Sequence, residues 1–394
     1  MKRTIAGEEN SSGMIRLVIF APSRKRASET FIRANMAGLP FRTSVYCGDE
    51  VTCRGSIWRT VYGISIAFSK VATRLGLLHL ATWFPSIVAT EICRHEKPDV
   101  VLAEFGFHAV RIMELVPKTG LPLIVHFRGA DASAQRYIGR LSGRYERLLG
   151  LCSGIIVKSR QMSDRLLALA KPGSKVPHII VSPSGANDAL FRGSHPASAP
   201  PTFLAVGRFV EKKGPLITIE AFANATRSRP DLKLVMVGDG PLLKKSRALA
   251  KHLGVAEKVV FAGVESSAVI AQRMKECRAF VQHSVTAVDG DEEGVPVAIM
   301  EAQLSGLPVI ATFHAGIPDV VLQGRTGILV QEGDQEGMAT AIGLLADSTR
   351  IAGEMGSAAC IRASSRFRIE NHLADLTEMI HHVVLEHRSS DKQR

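Results

Sequence analysis

The sequence predicts an α/β protein built from two successive doubly wound units, each a parallel sheet covered by helices on both faces. Short, continuous apolar runs alternate with helix-length segments along most of the chain, as is typical of parallel strands buried on both faces. The alternation stops once, at residues 192–201 (RGSHPASAPP), and then starts again. A stretch so rich in Pro, Ser and Ala indicates a linker between two domains.

The first unit is expected to span residues 1–191 and the second residues 202–365, in line with two or three domains for 394 residues. Strands of the first unit are predicted at 15–20, 99–105, 121–127 and 154–159. Strands of the second unit are predicted at 202–207, 232–238, 258–263, 279–284, 307–312 and 327–330. Residues 366–394 are expected to form a helix that packs back on the first unit and frays at its end.

Positive charge is concentrated in the first unit. The formal net charge of the chain is +12. Residues 1–191 hold 26 Lys and Arg against 14 Asp and Glu, whereas residues 192–394 hold 23 of each class. This excess favours an anionic partner, such as a membrane surface, a phosphorylated ligand or nucleic acid. No nucleic acid is expected, because the sequence has no recognition module and no interleaved basic and aromatic motif.

The cysteines and the apolar segments favour a reducing, cytoplasmic compartment. The six cysteines show no C-x-x-C spacing, which favours reduced core thiols over a zinc site or a disulfide framework. The N-terminal MKRTIAGEENSSG lacks the apolar stretch of a secretory signal. Residues 75–90, a long stretch without Lys, Arg, Asp or Glu, are fewer than the roughly 20 residues of a spanning helix. We therefore expect a cytoplasmic protein, peripheral to the inner face of the plasma membrane.

Candidate phosphate ligands follow the first strand of the second unit. In AVGRFVEKKG, Gly207, Arg208 and Lys213 stand between a strand and a helix. Glycine lets the backbone approach a phosphate, the helix N-terminus favours an anion, and the two cations can bracket a diphosphate. Gly238 in VGDGPL ends the next strand and is a weaker signal. The alternative is an ordinary solvated loop between a strand and a helix.

Two carboxylates border the segment EEGVPVAIMEA at residues 292–302. Glu293 precedes an expected helix start at Pro296, and Glu301 lies eight residues further on, about 12 Å along a helix. This separation is close to that between the ribose and the hexose of a sugar nucleotide. One carboxylate would accept hydrogen bonds from ribose hydroxyls and the other would lie near the sugar. The alternative is a capping acid and a structural Glu, although unpaired burial of Glu301 would be costly.

These motifs together resemble a known family. GRFVEKKG, VGDGPL, EGVPVAIMEAQLSGLPVIAT and GIPDVV are similar to the retaining glycosyltransferases of family 4, which have the GT-B fold, and especially to their exopolysaccharide and colanic-acid type. The resemblance covers nearly all of residues 15–385, with Asn187 of PSGAND in place of the usual aspartate. It implies a UDP- or GDP-sugar donor in the second unit and a glycan acceptor, lipid-linked in this subgroup, in the first.

The resemblance also implies a role for each matching residue. Arg208 and Lys213 correspond to the pair that binds the diphosphate and stabilises the charge developing on the leaving group. Glu293 corresponds to the acid beside the donor sugar and Glu301 to the ribose ligand. Backbone N–H groups for the sugar or phosphate would come from Gly294 and Val295. No metal or other cofactor is expected, since these cations and a helix N-terminus supply the positive field.

The first unit departs from the family at HFRGAD, residues 126–131. Arg128 stands where the family has a histidine near the donor sugar, Asp131 is kept, and His126 points to the same side of an extended backbone. His126 is expected to substitute in part, or Arg128 to act electrostatically; the alternative is that His126 is a core histidine. The candidate acceptor contacts are Glu104, His108, Ser28, Glu29 and Thr30.

Residues 57–75 predict an amphipathic helix. The apolar positions that follow the i, i+3, i+4 pattern are Ile57, Val61, Ile64, Phe68, Val71 and Leu75. Arg59, Lys70 and Arg74 lie together on the opposite face. This combination suits a helix that lies on an anionic leaflet. The alternative is a core-facing helix with solvated cations.

The sequence thus favours a peripheral membrane glycosyltransferase that moves a sugar from a UDP- or GDP-sugar to a growing, lipid-linked glycan and retains anomeric configuration. Two alternatives stay open. The first is a sugar-nucleotide epimerase of the same fold, which the basic first unit disfavours because an epimerase needs no membrane acceptor. The second is a catalytically silent protein that binds a glycan or nucleotide, which the replacement at Arg128 suggests.

Overall fold

Two six-stranded sheets organise the chain, in a computed structural model that describes residues 14–24, 30–52, 56–171, 173–174 and 176–392. The strands of the first sheet are β1 (Arg16–Ala21), β2 (Arg42–Cys47), β3 (Val100–Glu104), β4 (Leu123–His126), β5 (Gly154–Val157) and β6 (His178–Val181). Those of the second are β7 (Thr202–Val206), β8 (Lys233–Val237), β9 (Val259–Gly263), β10 (Ala279–Val281), β11 (Val309–Thr312) and β12 (Gly327–Val330). The sequence predicted ten of these strands and missed β2 and β6.

Both sheets are parallel, but their topologies differ: one strand lies on the outer side of β1, whereas two strands, β8 and β9, lie on the outer side of β7. Their strand orders are β2-β1-β3-β4-β5-β6 and β12-β11-β10-β7-β8-β9. In the first sheet, Val18 on β1 pairs in register with Val101 on β3. In each unit the strand order reverses beside the first strand, and the carboxyl ends of the strands at such a point form the usual ligand crevice. The predicted pair of doubly wound units is therefore confirmed.

Helices cover both faces of each sheet. Those of the first unit are α1 (Thr30–Gly38), α2 (Ile57–Arg74), α3 (Leu78–Glu96), α4 (Gly106–Ile112), α5 (Leu115–Thr119), α6 (Ala130–Ser133), α7 (Gln135–Leu151) and α8 (Arg160–Leu167). Those that follow β7 are α9 (Pro215–Thr226), α10 (Leu243–His252), α11 (Ser267–Glu276), α12 (Val297–Ser305), α13 (Ile317–Val320), α14 (Gln335–Asp347), α15 (Thr349–Arg366) and α16 (Ile369–Lys392). Each sheet has an apolar core on both faces, which supplies the main stabilisation of the fold.

The last helix, α16, lies against the first sheet. Its apolar side buries Leu376, Met379, Ile380 and Val383 in one core with residues of β1, β3 and β4. A side chain at Gly154 on β5 would approach the sulfur of Met379 to 2.7 Å. The end of the chain therefore closes one face of the first unit. Residues 192–201 form no helix or strand and run along the second unit, where Ser194 N–H donates to the Ser305 carbonyl over 2.8 Å.

Helix α2 presents its apolar stripe to solvent. The exposed side chains on that stripe are Ile57, Ile64, Phe68, Val71 and Leu75. Its buried face is built instead from Tyr62, Gly63, Ser65, Ile66, Ser69 and Ala72. Because these residues are mostly small, the helix packs closely, and a side chain at Gly63 would overlap the backbone of Glu50. The helix thus packs on the core through this face with Lys70 and Arg74 exposed, as the alternative described, whereas most of the predicted apolar stripe lies outside the core. Within the described ranges, the helices include none with the length and apolar character needed to cross a bilayer.

Candidate active site

The two units meet at the carboxyl ends of their central strands. A bidentate ion pair joins Arg165 on α8 to Glu292, with N–O distances of 2.8 and 3.1 Å. The backbone N–H of Glu292 donates to Ser133 Oγ over 3.1 Å. The loops approach so closely that a side chain at Gly294 would lie 3.0 Å from the Arg128 carbonyl. The result is a cleft whose walls come from both units.

The loop after β7 carries the predicted phosphate ligands. It runs through Gly207 and Arg208 into a short 3₁₀ turn at Glu211–Lys213, and α9 begins immediately afterwards. The stem of Lys213 passes within 3.4 Å of the Cβ position of Gly207. Arg208 is exposed. Arg208 and Lys213 line one small, open cavity of about 20 Å³ together with Gln282. The strand therefore delivers two cations to the edge of a cavity that is open to a ligand.

Glycine is required where α9 begins. Gly214 has φ +54°, and a Cβ there would overlap the carbonyl of His283. Gly238 has φ +137°, and a Cβ there would overlap the carbonyl of Gly207. Gly238 therefore lets the ends of β7 and β8 meet, but it does not line the cavity.

Glu293 is the central anion of the site. Its Oε2 lies 3.2 Å from Lys213 Nζ, and its Oε1 lies 3.9 Å from Lys212 Nζ. Burial would raise the pKa of this carboxyl, but the charges of Lys213 and Lys212 outweigh it and the pKa is lowered. Oε1 accepts no hydrogen bond from any residue that the structure describes. The carboxylate is therefore ionised and held on one side, and its buried Oε1 has unused capacity to accept a hydrogen bond.

A second contact fixes the backbone beside Glu293. The N–H of Glu293 donates to His314 Nε2 over 3.2 Å, and His314 Nδ1 lies 2.6 Å from Glu332 Oε1. Since Nε2 accepts, Nδ1 carries the proton and donates it to Glu332. Lys212 Nζ also binds this loop, through Asp291 Oδ1 at 3.0 Å and the Glu292 carbonyl at 3.1 Å.

Glu301 lies in the middle of α12 and belongs to the same site. Burial raises the pKa of its carboxyl to about 7, and the nearby charge of Lys213 offsets part of that rise. Among the described residues it has no hydrogen-bond partner. The charge of Lys213 thus acts on both Glu293 and Glu301, so the structure brings together the two carboxylates and the cation that the sequence proposed. Gly294 and Val295 lie in the loop between Glu293 and α12.

The residues predicted in the first unit form a closed cluster. Glu104, at the end of β3, is fully buried. Its Oε1 accepts from Asn35 Nδ2 over 2.9 Å, and its Oε2 accepts from Arg128 at 2.7 and 3.0 Å. His126 lies 3.5 Å from the same oxygen and 5.3 Å, ring to ring, from His372 on α16. Burial, with the charges of Arg128 and Lys158, lowers the pKa of His126 well below its ordinary value.

These positions differ from the expectation that His126 or Arg128 lies beside the donor sugar in the cleft. Arg128 and His126 point into the interior of the first unit, and neither side chain reaches the donor side as the structure stands. His126 therefore behaves as the core histidine that the alternative described. Its position follows from Glu104 and α16, which pack against the end of β4 from distant parts of the chain.

Asp131 has a structural role. Its Oδ2 accepts from Gly106 N–H over 2.8 Å, and its Oδ1 accepts from the N–H groups of Arg128 and Gly129, both at 2.9 Å. Burial raises the pKa of this carboxyl, against the effect of those hydrogen bonds. Asp131 thus joins the loops that follow β3 and β4. It positions the wall of the cleft without facing it.

The predicted acceptor contacts are also located differently. Glu104 and His108 are both fully buried, and His108 Nε2 lies 2.7 Å from the Tyr62 hydroxyl beneath α2. Neither can touch an acceptor from these positions. Ser28 and Glu29 lie outside the described residues, and Thr30 opens α1 with no side chain described.

Sequence reasoning placed Lys212 in the loop after the strand without giving it a role, and it missed three residues of the site: Gln282, His314 and Arg165. The first two each follow closely on a strand, so the position at a strand end was a usable signal. Arg165 could not be found this way, because its partner Glu292 belongs to the other unit. Within the described part of the chain, no three His, Cys, Asp or Glu side chains form a metal-binding group, and independence from metal stays a prediction.

The architecture and the site define a class of protein. Two doubly wound parallel sheets that face each other across a cleft, with the ligand groups at their carboxyl ends, form the GT-B fold. The crystal structure of HepE from Anabaena in complex with UDP superimposes with a TM-score of 0.72 at 19% identity, over 93% of this chain and 99% of that one. This likeness establishes the fold.

Sequence comparison identifies a family for most of the second unit. Residues 187–359 match the family described as Glycosyl transferases group 1, and this part of the chain is a glycosyl transferases group 1 domain. The amylovoran biosynthesis glycosyltransferase AmsK of Erwinia amylovora is 31% identical over 65% of this chain and 63% of its own length. WcaL of Escherichia coli K12, named for colanic acid biosynthesis, is 30% identical over 64% and 63%. The chain thus spans somewhat less than two thirds of these relatives.

Proposed function

We propose that the protein is a retaining glycosyltransferase of exopolysaccharide biosynthesis that uses a UDP- or GDP-sugar as donor. One observation carries the proposal: Lys213, which lines a cavity with Arg208, is paired with Glu293 at 3.2 Å, and its charge also acts on Glu301. Oε1 of the ionised Glu293 has unused capacity to accept a hydrogen bond, and Glu301 has no hydrogen-bond partner among the described residues. The names of AmsK and WcaL, and UDP bound to HepE, support the same function.

Each residue has a chemical task in this proposal. Arg208 and Lys213 bind the diphosphate and stabilise the negative charge that grows on it as the glycosidic bond breaks. Glu301 accepts hydrogen bonds from the ribose hydroxyls. Glu293 accepts from a hydroxyl of the sugar through Oε1, and the Lys213 contact at Oε2 keeps the carboxylate oriented. The close approach of the two units at Gly294 excludes water from the reacting bond.

Donor binding tests this assignment. The Arg208→Ala, Lys213→Ala double variant is expected to lose affinity for UDP or GDP by about 100-fold or more, because each charge-assisted hydrogen bond contributes roughly 1.5–3 kcal/mol. Calorimetry with both nucleotides measures the loss and selects the base. Lys251→Ala, an exposed lysine on α10, is the matched control. Unchanged affinity in the double variant would remove the diphosphate site from the proposal.

Product analysis separates transfer from the alternatives. With donor alone, NMR of the released sugar is expected to show slow hydrolysis with retained configuration. Conversion to an epimeric sugar nucleotide would instead identify an epimerase. Binding without any turnover, with or without an acceptor, would identify a silent binding protein.

We also propose that the protein binds the inner face of the plasma membrane through α2. Support comes from the exposed apolar stripe on α2 and from the basic excess of the first unit. Apolar side chains can enter the headgroup region while nearby cations meet anionic lipids, each worth about 1 kcal/mol at low salt. The acceptor of this proposal is lipid-linked, so the membrane would hold the enzyme near its substrate.

Vesicle flotation tests the membrane proposal. Changing Arg59, Lys70 and Arg74 to Glu is expected to release the protein from anionic vesicles at low salt while preserving nucleotide binding. Salt should weaken binding as well, because charges are screened beyond about 8 Å at physiological strength. The control changes three exposed lysines of α10 to Glu: Lys244, Lys245 and Lys251. Equal binding to neutral and anionic vesicles would favour a soluble acceptor.

A further inference from the structure

A groove of about 450 Å³ lies between the α2–α3 turn and helices α4 and α7. This volume is within the roughly 300–1,000 Å³ of small-molecule sites. Its apolar wall is formed by Leu78, Ala81, Phe107, Val110 and Leu141. The groove is separate from the donor cavity, since the two share no residue.

Three arginines line this apolar groove: Arg74, Arg111 and Arg144. Within the described residues, none of them has a carboxylate inside ion-pair distance. Glu114, the acid near Arg144, is bound in a bidentate pair to Arg147, with both N–O distances 2.7 Å. Burial lowers the pKa of the Arg111 guanidinium. Cations held in an apolar groove without a counterion indicate a site for an anion.

Arg111 is held in place on the groove wall. Its Nε donates to Ser69 Oγ over 2.9 Å, and its Nη1 donates to the Phe107 carbonyl over 3.0 Å. The guanidinium carbon also lies 5.7 Å from the centre of the Phe107 ring. These contacts use two of the five guanidinium N–H groups. The charge is therefore fixed in position, with donors left over for a ligand.

The groove connects two surfaces that matter for the proposed function. At one end Leu78 is exposed, next to Leu75 and Leu77, which extend the apolar stripe of α2. At the other end Phe107 stacks on Tyr137 with ring centres 4.9 Å apart. Phe107 belongs to the first turn of α4, which starts directly after the end of β3 at the cleft edge. A long ligand could thus run from the bilayer side towards the cleft.

We infer that this groove binds the lipid diphosphate of the acceptor, with the aliphatic chain on its apolar wall and the diphosphate on Arg111 and Arg144. This inference rests on the proposed glycosyltransferase function and names the acceptor's anchor. A diphosphate matches the paired arginines, because guanidinium groups bind phosphate oxygens in a bidentate manner. The aliphatic chain of the lipid leaves the groove beside Leu78, where the exposed apolar stripe of α2 meets the membrane.

Farnesyl diphosphate is a soluble probe for this site. Calorimetry is carried out with saturating UDP, so that the donor cavity is filled. Farnesyl diphosphate is expected to bind at least tenfold more tightly than inorganic pyrophosphate. Arg111→Gln and Arg144→Gln should each weaken it about tenfold or more through loss of a charge-assisted contact. Arg144 has no hydrogen bond within the described part of the chain, so Arg144→Gln is expected to fold normally if Arg111→Gln does not.

Two further variants sharpen the test. Lys251→Gln, at an exposed lysine on α10 of the other unit, should bind farnesyl diphosphate like the wild type. Thr82→Trp fills the groove and should abolish binding of farnesyl diphosphate while UDP still binds.

Three results would overturn the inference. The first is an affinity for farnesyl diphosphate that is the same in Arg111→Gln, Arg144→Gln and wild type. The second is an affinity of the wild type for pyrophosphate equal to its affinity for farnesyl diphosphate. The third is displacement of farnesyl diphosphate by phosphatidylglycerol vesicles, which would assign the groove to bilayer lipid. UDP titrations keep the two proposals distinct. Arginine-dependent binding of the probe without UDP binding would support the groove and remove the transferase. Normal UDP binding without binding of the probe would remove the groove alone.

Discussion

Glu104 in the first unit and Glu293 in the second occupy comparable places, each beside the carboxyl end of a central strand with cations around it. Both oxygens of Glu104 are bound, one by Asn35 and one by Arg128. Glu293 is bound on Oε2 by Lys213, and its Oε1 accepts no hydrogen bond from the described residues. The same type of charged cluster is therefore closed in one unit and open in the other.

This difference separates structure from chemistry. A closed, fully buried ion pair holds loops together, and breaking it leaves an unpaired charge in the interior. An open carboxylate beside a bound cation can exchange part of its contacts for a ligand. The first unit thus uses its cluster to fix the cleft wall against α16, and the second unit uses its cluster to receive the donor.

The largest expected effect is a loss of stability when the closed cluster around Glu104 is broken. Glu104→Gln should lower the free energy of unfolding by about 3–5 kcal/mol, because Arg128 and Lys158 lose their buried counterion. Urea unfolding measures this loss. Glu293→Gln should cost only about 1 kcal/mol, because Lys213 borders an open cavity and keeps its contact with Gln282 Oε1, and Lys212 keeps its pairing with Asp291. A greater loss in Glu293→Gln than in Glu104→Gln would reverse the comparison.

The second effect concerns turnover in the open cluster. Glu293→Gln should lower kcat about 100-fold, or about 2.7 kcal/mol, with nucleotide affinity changed less than about threefold, because the contact with the sugar matters mainly in the transition state. Glu301→Gln should do the opposite and weaken UDP or GDP about tenfold through loss of ribose hydrogen bonds. Steady-state kinetics and calorimetry measure both. If Glu293→Gln weakened the free nucleotide and Glu301→Gln did not, the two roles would be exchanged.

The third effect is a pH dependence at Glu301. Burial raises the pKa of its carboxyl from 4.5 to about 7, so the folded protein binds more protons than the unfolded chain between these values. Its contribution to stability therefore falls as pH rises from about 4.5 through about 7. Glu301→Gln should be more stable than wild type at pH 8 by on the order of 2 kcal/mol, allowing for partial exposure, and equally stable at pH 4. Parallel pH–stability curves for the two proteins would show that Glu301 has an ordinary pKa.

The sequence predicted the open cluster better than the closed one, for a physical reason. Motifs at the ends of parallel strands converge on one sheet edge, so Arg208, Lys213 and Glu293 could be placed together from their positions after strands and from the family resemblance. The directions of His126 and Arg128 depend on Asn35 and on α16, which come from distant parts of the chain. No local pattern contains that information.

Prediction of the fold from the sequence was limited in the same way. Ten strands were recognisable as apolar runs, whereas β2 (RTSVYC) mixes polar and apolar residues, and β6 is a short edge strand of four residues. For α2 the apolar stripe was visible, but the stripe does not say which side faces the protein. Close packing through Gly63 and Ser65 decided that, and turned the stripe to solvent.

The smallest expected effect concerns the contact between the units. Arg165 and Glu292 form a bidentate pair that is partly exposed, with side-chain exposures of 32% and 13%, so its net contribution is below about 1 kcal/mol. Because it holds the wall from the first unit beside Glu293, Arg165→Gln should raise the donor KM about threefold, with kcat nearly unchanged. High salt should reproduce the increase in wild type and add little in the variant, since screening weakens the same pair. Arg147→Gln is the matched control, because the Arg147–Glu114 pair has similar geometry but lies wholly within the first unit. Its KM should equal that of wild type. A KM that rises in Arg147→Gln and not in Arg165→Gln would mean that the closed unit, rather than the contact between units, governs access to the donor site.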